Sequence, residues 1–270
     1  GRIALDRLGI PIGKYYASEI DKYAIKVSQA NYPDTVHLGD LTGNDFKLWL
    51  NAVAPQGKID LLIGGSPCQG FSFAGKQLNF DDPRSKLFWD YVKVLRKLKP
   101  KYFLLENVKM KQDSMDVITE ALGVEPIFIN SRLVSAQNRQ RYYWTNIPMD
   151  GLPDDKGILL KDVLEDGAVD RDKSHCIDAN ADLSGNGYIK RVYHPDGKAP
   201  TLTTMGGGHR EPKVLTSDVS WRKLTPLECE RLQTVPENYT DHVSNTQRYK
   251  MLGNGWTVDV ITHIMQGMEL

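Results

Sequence analysis

The sequence predicts an α/β fold, a mostly parallel sheet with helices on both faces, joined to a small loop-rich lobe. Three observations carry this expectation. Short apolar runs alternate with amphipathic stretches through residues 1–148, the pattern of parallel strands joined by crossover helices. From about Met149 to Ser220 the chain turns rich in Asp, Gly, Asn and Pro, with turn signals at Gly185-Asn186-Gly187, Pro195-Asp196-Gly197 and Gly206-Gly207-Gly208. Helical patterning returns at Thr225. The expected organisation is a first domain over 1–148, a lobe over 149–220 and a return to the first domain over 221–270.

The elements follow in order. A helical pattern opens the chain at Ile3, Ala4 and Leu8. Residues 15–20 (YYASEI) read as a strand and 21–31 as a helix stopped by Tyr32-Pro33. A short strand at 35–38 ends at Gly39-Asp40, and a helix covers 46–53. The apolar run at 59–64 is a buried strand that breaks into Gly-Ser-Pro. A helix at 85–98 leads to a second buried strand, YFLL at 102–105. A helix at 113–122 and strands at 125–130 and 142–145 complete the alternation. Thr225-Pro226-Leu227-Glu228 reads as an N-cap, a proline in the first turn and an acid behind it. A last helix covers 258–268. Ligands of such sheets sit at the carboxyl ends of the strands.

Composition narrows the function. Hydrophobic residues at 40% and charged residues at 25% are ordinary for a globular chain and exclude wholesale disorder. Lys+Arg and Asp+Glu both total 34, so a nucleic-acid partner is held by local patches. Within the lobe, residues 150–182 hold 10 acidic and 4 basic side chains, whereas 183–213 hold 2 acidic and 5 basic plus His194 and His209. Only the second stretch suits a phosphate backbone. No apolar run approaches the roughly 18 residues of a membrane span. Cys68, Cys176 and Cys229 form neither a disulfide framework nor a metal signature, and the histidines lack ligand spacing. The expectation is a reducing cytoplasm and no metal.

Chemistry concentrates at strand ends. Gly64-Gly65-Ser66-Pro67-Cys68-Gln69-Gly70-Phe71-Ser72 carries one thiol in a loop whose glycines allow close approach of a ligand. A lone cysteine is more often a small core hydrophobe, but that reading does not account for the surrounding loop. Glu106, after the apolar strand at 102–105, is placed for partial desolvation, which raises a carboxyl pKa and suits a proton donor. By itself it also fits a helix cap or a surface acid. Arg139 and Arg141 alternate ahead of Tyr142-Tyr143-Trp144 and share a face if extended. Paired guanidinium groups suit a phosphate, a carboxylate or a carbonyl oxygen, or simply form a solvated charge run. Glu19 and Asp40 follow strands where an acid can bond ribose hydroxyls or an adenine amine. Gly253-Asn254-Gly255-Trp256-Thr257-Val258 reads as a tight turn before a helix, either one where a ligand could approach the backbone or an ordinary helix entry. Cys229 falls in a helix and reads as core.

Taken in order, these segments resemble the DNA (cytosine-5)-methyltransferase family, of bacterial or phage type. The resemblance rests on the Pro-Cys-Gln loop, Glu106-Asn107-Val108, Gln137-Asn138-Arg139-Gln140-Arg141, the segment from Arg222 to Gln233, and Gly253-Asn254-Gly255. The stretch between Arg141 and Arg222 stands where the family keeps its target recognition region, with Thr201-Leu202-Thr203-Thr204 similar to its Thr-Leu patch. The resemblance implies a Rossmann-like, class I methyltransferase fold using S-adenosylmethionine and releasing S-adenosylhomocysteine. It implies a cytosine flipped out of duplex DNA, attack by Cys68 on C6, and protonation support from Glu106. Arg141 would hold the cytosine O2 and brace Glu106. Arg139 would sit near the thiolate and a backbone phosphate. Glu19 and Ile20 would take the ribose side, Asp40 the adenine amine, and Pro67, Leu87 and Asn254 the rest of the cofactor pocket. Gln69, Ser72, Arg84, Lys86, Thr203, Thr204 and Arg210 would meet DNA, with Lys109 a further phosphate contact. The family's Phe-x-Gly-x-Gly strand and turn is expected ahead of Gly1, and without it cofactor binding is expected to be poor. A monomer acting at the nucleoid, protecting DNA from a cognate restriction endonuclease, completes the implied picture. The alternatives are a tRNA cytosine-5 methyltransferase, whose Cys-Phe-Thr tripeptide is absent, a catalytically impaired regulatory homologue, and a thiol enzyme of another kind.

Overall fold

The structure, a computed structural model, describes residues 1–65, 86–166, 176–177, 180–181, 190–206, 209–217 and 220–269. Helix α1 (Arg2–Arg7) opens the chain, followed by β1 (Tyr16–Ala17), α2 (Lys22–Asn31), β2 (Val36–His37) and α3 (Asn44–Val53). Strand β3 (Leu61–Gly65), α4 (Lys86–Leu98), β4 (Tyr102–Val108), α5 (Gln112–Leu122), β5 (Ile127–Asn130) and β6 (Gln140–Thr145) complete the first domain. The lobe carries β7 (Cys176–Ile177), β8 (Asn180–Ala181), β9 (Val192–Tyr193), β10 (Lys213–Ser217) and β11 (Ser220–Lys223). Helices α6 (Pro226–Leu232), α7 (Asn245–Asn254) and α8 (Val258–Met265) close the chain.

The main sheet runs β3-β4-β6-β5. Strands β3 and β4 are parallel, whereas β6 is antiparallel to both β4 and β5. The reversal has a local cause. The segment between β5 and β6 holds only a 3-10 turn at Ser131–Leu133, and a parallel return needs a crossover of a dozen or more residues. Strands β1 and β2 form a separate parallel ladder. Alternation along the strands sends side chains to opposite faces. Leu104 and Tyr143 pack with Ala4, Leu5 and α8 on one face. Leu105 and Trp144 pack with Phe88, Val92 and Ile118 on the other. Helices therefore cover both faces, as expected.

Local signals hold in several places. Thr225 caps α6 reciprocally with Glu228, the side chain of each accepting from the other's backbone N–H. Asp21 caps α2 by accepting from the N–H of Tyr23. Strand β1 is shorter than the 15–20 run, because Glu19 Oε1 accepts from the N–H groups of Ile20 and Asp21 and turns the chain. Gly253 and Asn254 end helix α7 rather than lying in a free turn. The lobe's sheet extends past residue 220, since β11 pairs antiparallel with β10 as far as Lys223. A second core joins lobe and closing helices through Leu202, Met205, Val214, Leu224, Cys229, Leu232 and Leu252.

Candidate active site and cofactor groove

Glu106 lies inside β4, not beyond its end. The parallel register sets Gly65 against it and the antiparallel register sets Tyr143 against it on the other side. Strand β3 is described as far as Gly65, which lines a groove together with Trp256, so the carboxyl stands beside that groove. Glu106 is 8% exposed. On β6, Arg141 is register partner to Val108, and its Nε lies 2.7 Å from Glu106 Oε1. The Trp256 indole N–H points at the same carboxylate, and both converge over Gly65. Burial pushes the Glu106 carboxyl above its ordinary range, while the positive charges of Arg141 and Arg139 and the hydrogen bonds from Arg141 and Trp256 pull it back. The result is a carboxyl with raised proton affinity beside a fixed cation.

Arg139 corrects an expectation. It faces Glu106 closely enough to act on its charge, but its side chain does not reach out to a phosphate. It is 3% exposed, and its guanidinium donates to the carbonyls of Leu202 (3.1 Å), Gly253 (3.1 Å) and Gly255 (2.8 Å). The physical reason is that three backbone carbonyls from two segments converge on one buried site and need a fork of donors. Two glutamines extend this joint. Gln137 Oε1 accepts from the N–H of Leu202, and Gln233 Nε2 donates to the carbonyls of Leu252 and Gly255. Thr257 donates to Gln233 Oε1. Gly253 belongs to the same contact, because a Cβ there would stand 1.9 Å from the Thr203 carbonyl oxygen.

A groove of about 1200 Å³ separates the β1-β2 ladder from β3. Glu19, Ile20, Asp40 and Leu87 all line it, together with Tyr91 and Trp256. Glu19 is held by its own turn, and Asp40 Oδ1 accepts from the backbone N–H and hydroxyl of Thr42. Those two bonds hold the Asp40 carboxyl below the usual carboxylate range. Both ring nitrogens of His37 and the Trp49 indole N–H are buried without partners, and both residues line the groove. Unpaired buried polar atoms beside apolar walls fit a ligand with a polar, heteroaromatic part. Asn254 is exposed at the end of α7 and is not among the lining residues.

A second hollow, about 490 Å³, lies between first domain and lobe, lined by Val108, Lys109, Asn138, Arg141, Tyr193 and Thr201 among others. Lys86, Lys109, Thr204 and Arg210 are exposed. Thr203 packs its backbone on Gly253. Pro67, Cys68, Gln69, Ser72 and Arg84 lie outside the described residues. Sequence reasoning placed Trp256 in a ligand-side turn and Gln233 in a family-like segment but gave neither a role of its own. Trp256 follows the Gly253-Asn254-Gly255 segment directly, and a large ring beside a predicted ligand turn was the available signal. Among the described residues, no group of three or more His, Cys, Asp or Glu side chains is placed to hold a metal ion, and no helix is long and apolar enough to cross a membrane.

Residues 1–151 and 160–269 match the profile of the C-5 cytosine-specific DNA methylase family. The chain belongs to that family. This methylase is 31% identical to the type II methyltransferase M.HpaII of Haemophilus parainfluenzae, over 96% of this chain and 83% of that protein. It is 35% identical to the orphan methyltransferase M.SPRI of Bacillus phage SPR, over 97% of this chain and 93% of the relative. In fold it is similar to the S. pombe Dnmt2 methyltransferase, with a TM-score of 0.72 at 20% identity, covering 98% and 93% of the two chains. The methylase is thus a DNA cytosine-5 methyltransferase. Methyltransferases of its family use S-adenosylmethionine in general.

Proposed function

We propose that this methylase transfers a methyl group to C5 of a cytosine flipped out of duplex DNA, through a covalent bond between Cys68 and C6 of the ring. The observation that carries the reading is Glu106: buried beside Gly65 of β3, ion-paired to Arg141, and next to the groove that Glu19, Ile20, Asp40 and Leu87 line. The Cys68 thiolate forms the bond to C6, and Glu106 hydrogen-bonds the N3/N4 edge and delivers a proton to it, so that charge does not accumulate on the ring. Raised proton affinity keeps more of Glu106 in its donating form near neutral pH. Arg141 orients the carboxyl and reaches the cytosine O2. Glu19 and Ile20 at the ribose, Asp40 at the adenine amine, and Leu87 and Pro67 around them would hold S-adenosylmethionine, which would supply the methyl group. Loss of the C5 proton to water, with return of the N3 proton to Glu106, then expels Cys68 and restores the thiolate.

On the DNA side, Gln69, Ser72, Arg84, Lys86, Lys109, Thr203, Thr204 and Arg210 meet the duplex, and activity falls as salt rises. Arg139 serves by holding lobe and Gly253–Gly255 together. Protection of DNA against a restriction endonuclease, in a bacterial or phage-infected cytoplasm and as a monomer, is the biological setting we infer.

The test is methyl transfer from labelled S-adenosylmethionine to duplex DNA and, separately, to tRNA, with Cys68→Ser as control. Label on DNA that disappears in Cys68→Ser supports the reading. Label on tRNA alone replaces it with the tRNA alternative, and label that survives in Cys68→Ser removes the covalent step.

A further inference from the structure

Glu106 divides its two oxygens between two neighbours. Oε1 faces Arg141 Nε at 2.7 Å. Oε2 faces Trp256: a Cβ built on Gly65 would lie 3.3 Å from Glu106 Oε2 and 3.4 Å from Trp256 Nε1, so both atoms converge over the one residue that carries no side chain there. The indole N–H stands close enough to favour the ionised carboxylate. The backbone on both sides of Trp256 is pinned. Gly255 N–H donates to the Met251 carbonyl, Val258 N–H donates to the Gln233 carbonyl, and the Thr257 hydroxyl donates to Gln233 Oε1. The Trp256 ring packs against the core beneath the sheet and lines the large groove.

We propose that Trp256 is a positioning residue for the methyl-transfer reaction, its indole N–H fixing the orientation of Glu106 while its ring walls the groove beside it. The inference rests on the reading of Glu106 as the proton donor. An arginine on one oxygen alone leaves a carboxyl free to rotate about its last bond. A rigid, two-torsion donor on the other oxygen removes that freedom, and it requires glycine at position 65 to leave room. Because the hydrogen bond favours the ionised form, it also opposes the upward push of burial on Glu106. Among the described residues, the other charged or titratable groups facing Glu106 are Arg139 ahead of β6, and Arg141 and Tyr143 on β6.

The experiment is Trp256→Phe, which keeps a ring and removes the donor. Glu106 is titrated in the whole chain by carboxyl carbon NMR, its resonance assigned by its absence in Glu106→Gln. The expected result is a Glu106 titration moved to higher pH, by about one pH unit for a lost charge-assisted hydrogen bond. In turnover, kcat falls about tenfold with KM for S-adenosylmethionine changed by less than about twofold. A titration that stays in place in Trp256→Phe overturns the inference and leaves the role of Glu106 standing. Glu106→Gln with undiminished methyl transfer instead removes the reading beneath it. Where Trp256→Phe melts early, Gly65→Ala reads the same titration, because its methyl group presses between the two atoms; a Glu106 titration unmoved there also overturns the proposal.

Discussion

Of the buried glutamates of this methylase that face arginines, Glu228 and Glu106 are opposites. Glu228, in α6, is fully buried and Arg222 grips both its oxygens, at 2.8 and 2.6 Å. The backbone N–H groups of Glu165 and Thr225 fill its remaining lone pairs at 2.8 Å each. Among the described residues, Glu106 has one ion-pair contact on Oε1, an indole N–H beside it, and an opening onto a groove. A buried carboxylate with every lone pair occupied is a fastener, because any change of protonation or partner breaks several bonds at once. One with capacity left and a raised proton affinity can exchange a proton with a ligand. Residue type and burial are the same in both, and the number of partners distinguishes joint from site.

The comparison can be broken most decisively at Glu106. Glu106→Gln is expected to lower methyl transfer about 10²- to 10⁴-fold with little change in thermal stability, read by label incorporation and a melting curve. The opposite pattern is expected at the fastener. Glu228→Ala leaves Arg222 buried without its carboxylate and costs about 3–5 kcal/mol; a urea titration showing less than about 1 kcal/mol would refute the distinction. Gly253→Ala probes the joint between lobe and first domain. Its methyl group would meet the Thr203 carbonyl at 1.9 Å and the Thr204 nitrogen at 2.7 Å, both rigid backbone, so a cost of about 1–3 kcal/mol and weaker DNA binding by gel shift are expected together.

The smallest effect concerns a buried cation that has no ion pair among the described residues. Lys213, 2% exposed, donates to the carbonyls of His209 and Glu211 and lies over the Trp221 ring. Burial pulls its ammonium down to about 8 from 10.5. Below pH 8 both folded and unfolded chains carry the proton, and the folded chain bears the cost of burying it. Between pH 8 and 10.5 the unfolded chain binds a proton that the folded chain releases, so stability rises with pH. Relative to Lys213→Met, the wild-type chain should gain stability across that window in denaturant titrations. A parallel pH dependence of the two proteins would count against a charged buried lysine.

Much of this protein is legible in its amino-acid sequence, and the legible part is local. Helix α6 begins at Thr225 because its cap and Glu228 lie within one turn of sequence. The strands around Leu62 and Leu104 read as buried because apolar residues run through them without interruption. The candidate acid and arginines stand out because charged groups at the borders of such runs need partners. What the tertiary structure decided is non-local. The short β5–β6 connection made an antiparallel reversal available, but only pairing across distant segments set β6 between β4 and β5. That register put Arg141 on Glu106, and the return of α7 and α8 brought Gly253, Gly255 and Trp256 onto the same site. Arg139 turned inward because carbonyls from residues 202, 253 and 255 meet there. No window of neighbouring residues contains that information, since the nearest of those carbonyls lies 63 positions along the chain from Arg139. Partners so distant are chosen by which backbone groups would otherwise be buried unpaired.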